Sequence, residues 1–366
     1  MSLVCRKSSS FSTENLGYGD VTAVRAAGPG IIFRATVTVA GLAMAGVLGS
    51  LGPRRKVKRI VAADWHDMPR AAHPVLLMNL KAGGGKVERF GLLDTCASRG
   101  IDVVILGPGD DLRSLAQAAV QRGADVIGMA GGDGSLAVVA AVAAARRIPF
   151  VCVPAGTRNH FALDLGIDRG DPVGALDAFG PAREGLVDLA TVNGRAFVNN
   201  VSLGLYGTMV ASGDYRAEKL KTAAETIQQR LGPKAPSYDL HLEAPDGPVE
   251  DPQVVEVSNN PYVLRSLTTF GERLRMDSGT LGVVTLRVGD PADLEHLLAA
   301  ERDRRFERFP GLHSWTASEL EVHSSSPVAA GVDGESCLLT PPLRFQTVPH
   351  ALRVRVPRTR HKQRGQ

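Results

Sequence analysis

The 366-residue chain is long enough for two domains plus an extension, and its 44% hydrophobic content supplies cores for them. A net charge of +4, 5% aromatic residues and no interleaving of arginine with aromatics argue against nucleic acid as a partner. The four cysteines form no C-x-x-C pair and the nine histidines no H-E-x-x-H cluster, which fits a reducing cytoplasm and gives no zinc spacing.

Residues 1–70 read as an N-terminal extension. Within it, Ala35 to Gly52 carries no charge and lies at the lower edge of membrane-span length. The basic run "PRRKVKR" (Pro53 to Arg59) follows at once, and a span there would leave the remainder in the cytoplasm. With four glycines and three leucines the stretch is only weakly hydrophobic, so a span, a membrane-surface segment and a loosely packed extension all stay open. The run and the basic tail at 358–366 suit anionic lipid headgroups, or are solvated linker and tail.

From 71 to 187 the pattern is α/β. The apolar runs "PVLLMN", "IDVVIL", "ADVIGMA" and "IPFVCVPA" read as buried parallel strands, with Cys152 as a small core residue. Helical patterns lie between or beside them over Lys86–Ser98, Asp110–Gln121 and Ser135–Arg147. In such a sheet ligands bind at the carboxyl ends of the strands. Three glycine-rich pieces fall there: "NLKAGGGK" (Asn79 to Lys86), "GGDGS" (Gly131 to Ser135) and "PAGTRN" (Pro154 to Asn159). From 188 to 357 the pattern becomes antiparallel β, with turn signals at Asn193-Gly194 and Asp246-Gly247 and helical interruptions over Asp214–Arg230 and Pro291–Arg305.

Glycine lets the backbone approach an anion closely and aim N–H groups at it, and a helix N-terminus adds a favourable dipole. Gly131, Gly132 and Gly134 supply that approach, Ser135 caps the next helix or donates to a phosphate oxygen, and Lys86 neutralises charge. Asp133 would crowd an anion unless it were bridged by Mg²⁺ or had a proton to accept. Together these point to a nucleoside triphosphate.

"GGDGS" followed by "PAGTRNHFALDLG" resembles the catalytic domain of the diacylglycerol kinase and sphingosine kinase superfamily, and most of all its bacterial soluble members. "NLKAGGGK", "FVNNVSLGLYG", "MDSGTLGVV" and "AAGVDGESC" fall where that family has corresponding stretches, so the resemblance runs from about Pro74 to Pro357. It implies an NAD kinase/phosphofructokinase-like α/β domain followed by an antiparallel β-sandwich, with an ATP cleft between them. It implies transfer of the γ-phosphate from ATP, with Mg²⁺, to the hydroxyl of a lipid such as diacylglycerol or a sphingoid base. The partners expected are the lipid, a membrane surface and a second copy of the chain.

The resemblance assigns nucleotide contact to Asn79, Gly83, Lys86, Gly131, Gly132, Asp133, Gly134, Ser135, Gly156, Thr157 and Asn159. Asp333 and Glu335 of "VDGE" share proton transfer and a metal or nucleotide contact, with Glu335 favoured as base and the reverse nearly as good; Asp133 joins them as a catalytic acid residue. Departures are Val138 for a helix glutamate, His160 for an aspartate, a threonine absent near Leu106-Gly107, and Ser278 for an acidic residue of a metal site, which leaves Asp277 as its candidate ligand. An NAD kinase, which shares the G-G-D-G turn, and a catalytically weak nucleotide- or lipid-binding relic are the alternatives.

Overall fold

The computed structural model describes residues 65–212, 231, 235–263, 271–303 and 305–358. The uncharged stretch, the first basic run, the helical pattern at 214–230 and nearly all of the basic tail lie outside them. Among the described residues no helix is long and apolar enough to cross a membrane.

The apolar runs become strands β2 (Pro74–Met78), β3 (Asp102–Ile105), β4 (Val126–Gly131) and β5 (Phe150–Pro154). They pair in parallel in the order β3-β2-β4-β5. β2, β4 and β5 are buried at every position, as a sheet covered on both faces requires, whereas the edge strand β3 is partly exposed. Helices flank the sheet: α1 (Lys86–Arg89), α2 (Leu92–Ser98), α3 (Leu112–Gln121), α4 (Asp133–Arg146) and the short α5 (His160–Asp164).

The helix expected over Lys86–Ser98 is two, because Gly91 takes a left-handed φ of 58° between them. Asp111 caps α3 by accepting the N–H groups of Arg113 and Ser114. α4 begins two residues earlier than expected, at Asp133, and its last turn ends on a left-handed Arg147.

The second half is a sandwich. One layer is an antiparallel sheet of six strands, ordered β15-β14-β11-β8-β17-β18. These are β8 (Asn200–Gly204), β11 (Val254–Asn259), β14 (Leu281–Leu286), β15 (Leu312–Ala317), β17 (Val328–Val332) and β18 (Glu335–Leu339). Facing it is the far end of the first sheet, which carries β9 (His241–Ala244), β16 (Glu319–His323) and the first half of β19 (Leu343–Pro357). Phe197, Val201, Val255, Val283, Val322, Leu343 and Phe345 interdigitate between the layers.

β6 (Ala182–Val192) runs antiparallel to β19 over nearly its whole length, with an irregularity between Val348 and Leu352. The expected division at 187/188 therefore falls inside a continuous strand rather than a linker. "ALRVRVP", expected as one more antiparallel strand of the second half, also lies parallel to β5 through Val354 and Arg355. That return makes one eleven-stranded sheet shared by both halves. The charged helix is observed over Pro291–Arg302, with Asp290 capping it through the Asp293 N–H.

Candidate phosphate and proton-transfer site

The three glycine pieces meet at the carboxyl ends of β2, β4 and β5, where the strand order reverses. They touch through backbone. A Cβ placed on Gly156 would overlap the Cα of Gly132 and lie 2.9 Å from both the Gly132 nitrogen and the Asn159 Oδ1. A Cβ on Gly83 would likewise overlap the Ala155 carbonyl. Lys86 ties the first turn to the third by donating from Nζ to the Gly156 carbonyl at 2.9 Å. Burial, with Arg89 and Arg169 alongside, lowers the pKa of its ammonium.

The other side of the same surface is open. A Cβ on Gly132 would meet nothing nearer than Gly156 Cα at 3.9 Å, and Gly84 and Gly85 face free space. Gly132 is also the N-cap of the 14-residue α4, so its flank combines backbone room with a helix dipole.

Several side chains expected to touch phosphate are engaged with the protein. Asn159, 1% exposed and at a left-handed φ of 54°, folds its amide onto Gly156, accepting from its N–H and donating to its carbonyl, both at 2.9 Å. It therefore shapes the third turn; Thr157 beside it is exposed. Asn79 Oδ1 accepts the Lys81 N–H at 3.0 Å and shapes the first. Ser135 does not cap α4: its hydroxyl donates back to the Gly132 carbonyl at 2.9 Å. Asp133 is buried, and each carboxylate oxygen accepts one N–H from α5, those of His160 and Phe161, at 3.1 Å.

The "VDGE" pair forms the two-residue hairpin between β17 and β18, with Asp333 and Gly334 both left-handed, as a type I′ turn requires. The two carboxylates diverge. Glu335 is about half exposed, lies against Gly134 at the start of α4, and pairs with Arg195 at 3.5 Å. Asp333 is buried and accepts the N–H groups of Val198, Asn199 and Asn200 at 3.0, 2.8 and 3.2 Å. Burial pushes its carboxyl up to about 7, the Asp133 charge adds to the rise, and the three N–H groups pull the other way. Arg113, Gly134, Val138, Arg195 and Asp333 line one small cavity at this junction.

Asp277, the expected metal ligand, is placed elsewhere. Its buried carboxylate is held bidentate by Arg275, at 2.9 and 3.2 Å, so a cation there would compete with a guanidinium. Among the described residues no three His, Cys, Asp or Glu side chains are grouped to hold a metal. These donors do not fit a protein-held metal.

The sequence reading missed the buried cluster between the two halves. Arg273, fully buried, pairs with Asp164 at the end of α5, and Tyr262 donates to the same carboxylate at 2.8 Å. No periodicity or motif marks Arg273 within "GERLRMDSG".

The profile of the diacylglycerol kinase catalytic domain matches residues 73–192. A diacylglycerol kinase of Mycobacterium tuberculosis is 34% identical over 136 residues, 37% of this chain and 41% of the relative, so the match spans less than half of that protein. One from Staphylococcus saprophyticus is 22% identical over 232 residues, 62% of this chain and 75% of the relative. The solved structure of a diacylglycerol kinase from Bacillus anthracis superposes with a TM-score of 0.55 at 16% identity, covering 80% of this chain and 99% of that one, which is a likeness of fold. Residues 73–192, the segment that this profile matches and about a third of the chain, carry all three glycine turns, so the likeness to the diacylglycerol kinase catalytic domain rests on the part of the fold that builds the site.

Proposed function

We propose that the protein is an ATP-dependent lipid kinase that transfers the γ-phosphate to the hydroxyl of a lipid such as diacylglycerol or a sphingoid base. The observation that carries the reading is the junction of three glycine turns, open on the Gly132 side and next to a buried carboxyl held near neutrality.

In this reading the Gly132 flank and the N-terminus of α4 receive the triphosphate, and Lys86 supplies the counter-charge. Mg²⁺ held by the nucleotide phosphates, in keeping with its preference for phosphate oxygens and water, would supply charge neutralisation at the transferred group. A lipid hydroxyl is a poor nucleophile, so a positioned base is needed. Of the two "VDGE" carboxylates, Asp333 suits that role better. Among the described residues its Oδ2 accepts only the Val198 N–H, which leaves it a lone pair, and its proton affinity matches the working pH. Glu335, more exposed and beside Arg195, is placed to orient incoming groups.

The acceptor class is tested by ATP turnover in parallel reactions with a mixed lipid extract, NAD or neither. Stimulation by lipid alone supports the proposal. Stimulation by NAD would assign the protein to the alternative kinase chemistry, and tight ATP binding without turnover in any arm would make it a binding relic.

A further inference from the structure

The Arg273 guanidinium uses all three of its nitrogens on acceptors in both halves of the fold. Nε and Nη2 hold Asp164 Oδ2 at 2.9 and 2.6 Å. Nη1 donates to the carbonyls of Val198 at 2.8 Å and Asn259 at 2.6 Å, and Nη2 faces Asn199 Oδ1 at 3.5 Å. The guanidinium also lies 5.1 Å from the centroid of the Tyr262 ring. The segment it grips through Val198 and Asn199 is the one whose N–H groups converge on Asp333. At the other end, Asp164 terminates α5, whose first N–H groups are held by Asp133 of the central glycine turn.

These contacts form one continuous chain: Asp133, α5, Asp164, Arg273, Val198–Asn200, Asp333. We infer that Arg273 is a positioning residue, which sets the Val198–Asn200 segment so that its three N–H groups fall on the Asp333 carboxylate while the same guanidinium anchors the helix behind the phosphate turn. The inference rests on the reading of Asp333 as the base for its functional meaning, but its geometry is independent of that reading. A planar fork reaches acceptors in several directions at once; an ammonium on a similar stem does not. The fixed distance between the base and the phosphate turn then depends on one buried side chain that touches neither substrate.

Removing Arg273 alone strands the buried Asp164 charge, so the decisive variant is Asp164→Asn/Arg273→Gln, with Arg273→Lys as the second. The readout is the amide proton resonances and hydrogen exchange of Val198, Asn199 and Asn200 in the full chain, assigned with Asp333→Asn, which removes the shared acceptor charge. In both Arg273 variants the three resonances should move upfield and exchange about tenfold or more faster. ATP affinity by calorimetry should stay within about twofold, and kcat should fall more than KM changes. Unchanged resonances and exchange in either folded variant would overturn the inference and leave Arg273 as a fastener of α5. If the resonances move but Asp333→Asn turns over normally, the positioning stands and the assignment of the base fails.

Discussion

Gly156 and Gly132 make opposite predictions from the same contact. In Gly156→Ala the new methyl overlaps backbone, namely the Cα of Gly132, and sits 2.9 Å from its nitrogen, where non-bonded carbon contacts settle at about 3.5–4.0 Å. No flexible side chain can swing aside, so the two turns must separate by something on the order of 1 Å, the difference between those distances. Overpacking of this kind costs about 1–3 kcal/mol, and at roughly 2–4 °C per kcal/mol for a large domain the midpoint should fall by several degrees. The shift also moves the N–H groups at the start of α4, so ATP affinity should drop with it. Gly132→Val behaves differently. Its Cβ meets only Gly156 Cα at 3.9 Å, an ordinary contact, so thermal stability should change by no more than about 0.5 kcal/mol. Its methyls occupy the space proposed for phosphate, and ATP binding should vanish. Scanning calorimetry and titration calorimetry on both variants read the two axes separately. Unchanged ATP affinity in Gly132→Val would refute the placement of the phosphates, and a Gly156→Ala protein as stable as wild type would refute the backbone junction.

Asp333→Asn should lower kcat by about 10²–10⁴-fold with ATP affinity nearly unchanged, while Glu335→Gln should affect kcat less; steady-state kinetics that reverse this order would exchange the two roles. Because the Asp333 carboxyl is raised to about 7, it is protonated below that pH, and turnover should fall as pH drops through 7. The same shift makes the folded state hold an extra proton between about 4 and 7, so this group's contribution to stability decreases as pH rises through that window, and urea unfolding of Asp333→Asn should lack that slope. Lys86→Met should weaken ATP binding by the worth of a charged hydrogen bond, about 1.5–3 kcal/mol, measured by titration calorimetry. Asp133→Ala should cost about 0.5–2 kcal/mol of stability through the two N–H groups it leaves uncapped at α5, as read by chemical denaturation.

The α/β half was legible because its signals are local. Short apolar runs of strand length separated by glycine turns fix the parallel strands and place their carboxyl ends, and the three turns do meet. What each polar residue in those turns does was not legible, because Asn159, Ser135 and Asp133 choose between a ligand and nearby backbone according to three-dimensional proximity. The Asp333 and Glu335 carboxylates are one residue apart in the chain, yet the left-handed turn sends one into the core and leaves the other half exposed. Long-range pairing was hidden too. "ALRVRVP" has the alternation of any antiparallel strand, and nothing in it announces that Val354 and Arg355 pair with β5 roughly two hundred residues earlier. Arg273 carries no periodic or motif signal at all, since its four acceptors come from segments scattered between Asp164 and Asn259.

The most direct measurement of the central claim follows the phosphorus itself. The full chain is incubated with ATP labelled in the γ-phosphate, Mg²⁺ and vesicles containing diacylglycerol or a sphingoid base, and the lipids are then extracted and separated. The account predicts label in a phosphorylated lipid, formed in proportion to enzyme, absent with Gly132→Val and strongly reduced with Asp333→Asn. Label found only in inorganic phosphate or in a water-soluble acceptor, with the lipids unlabelled, would contradict it.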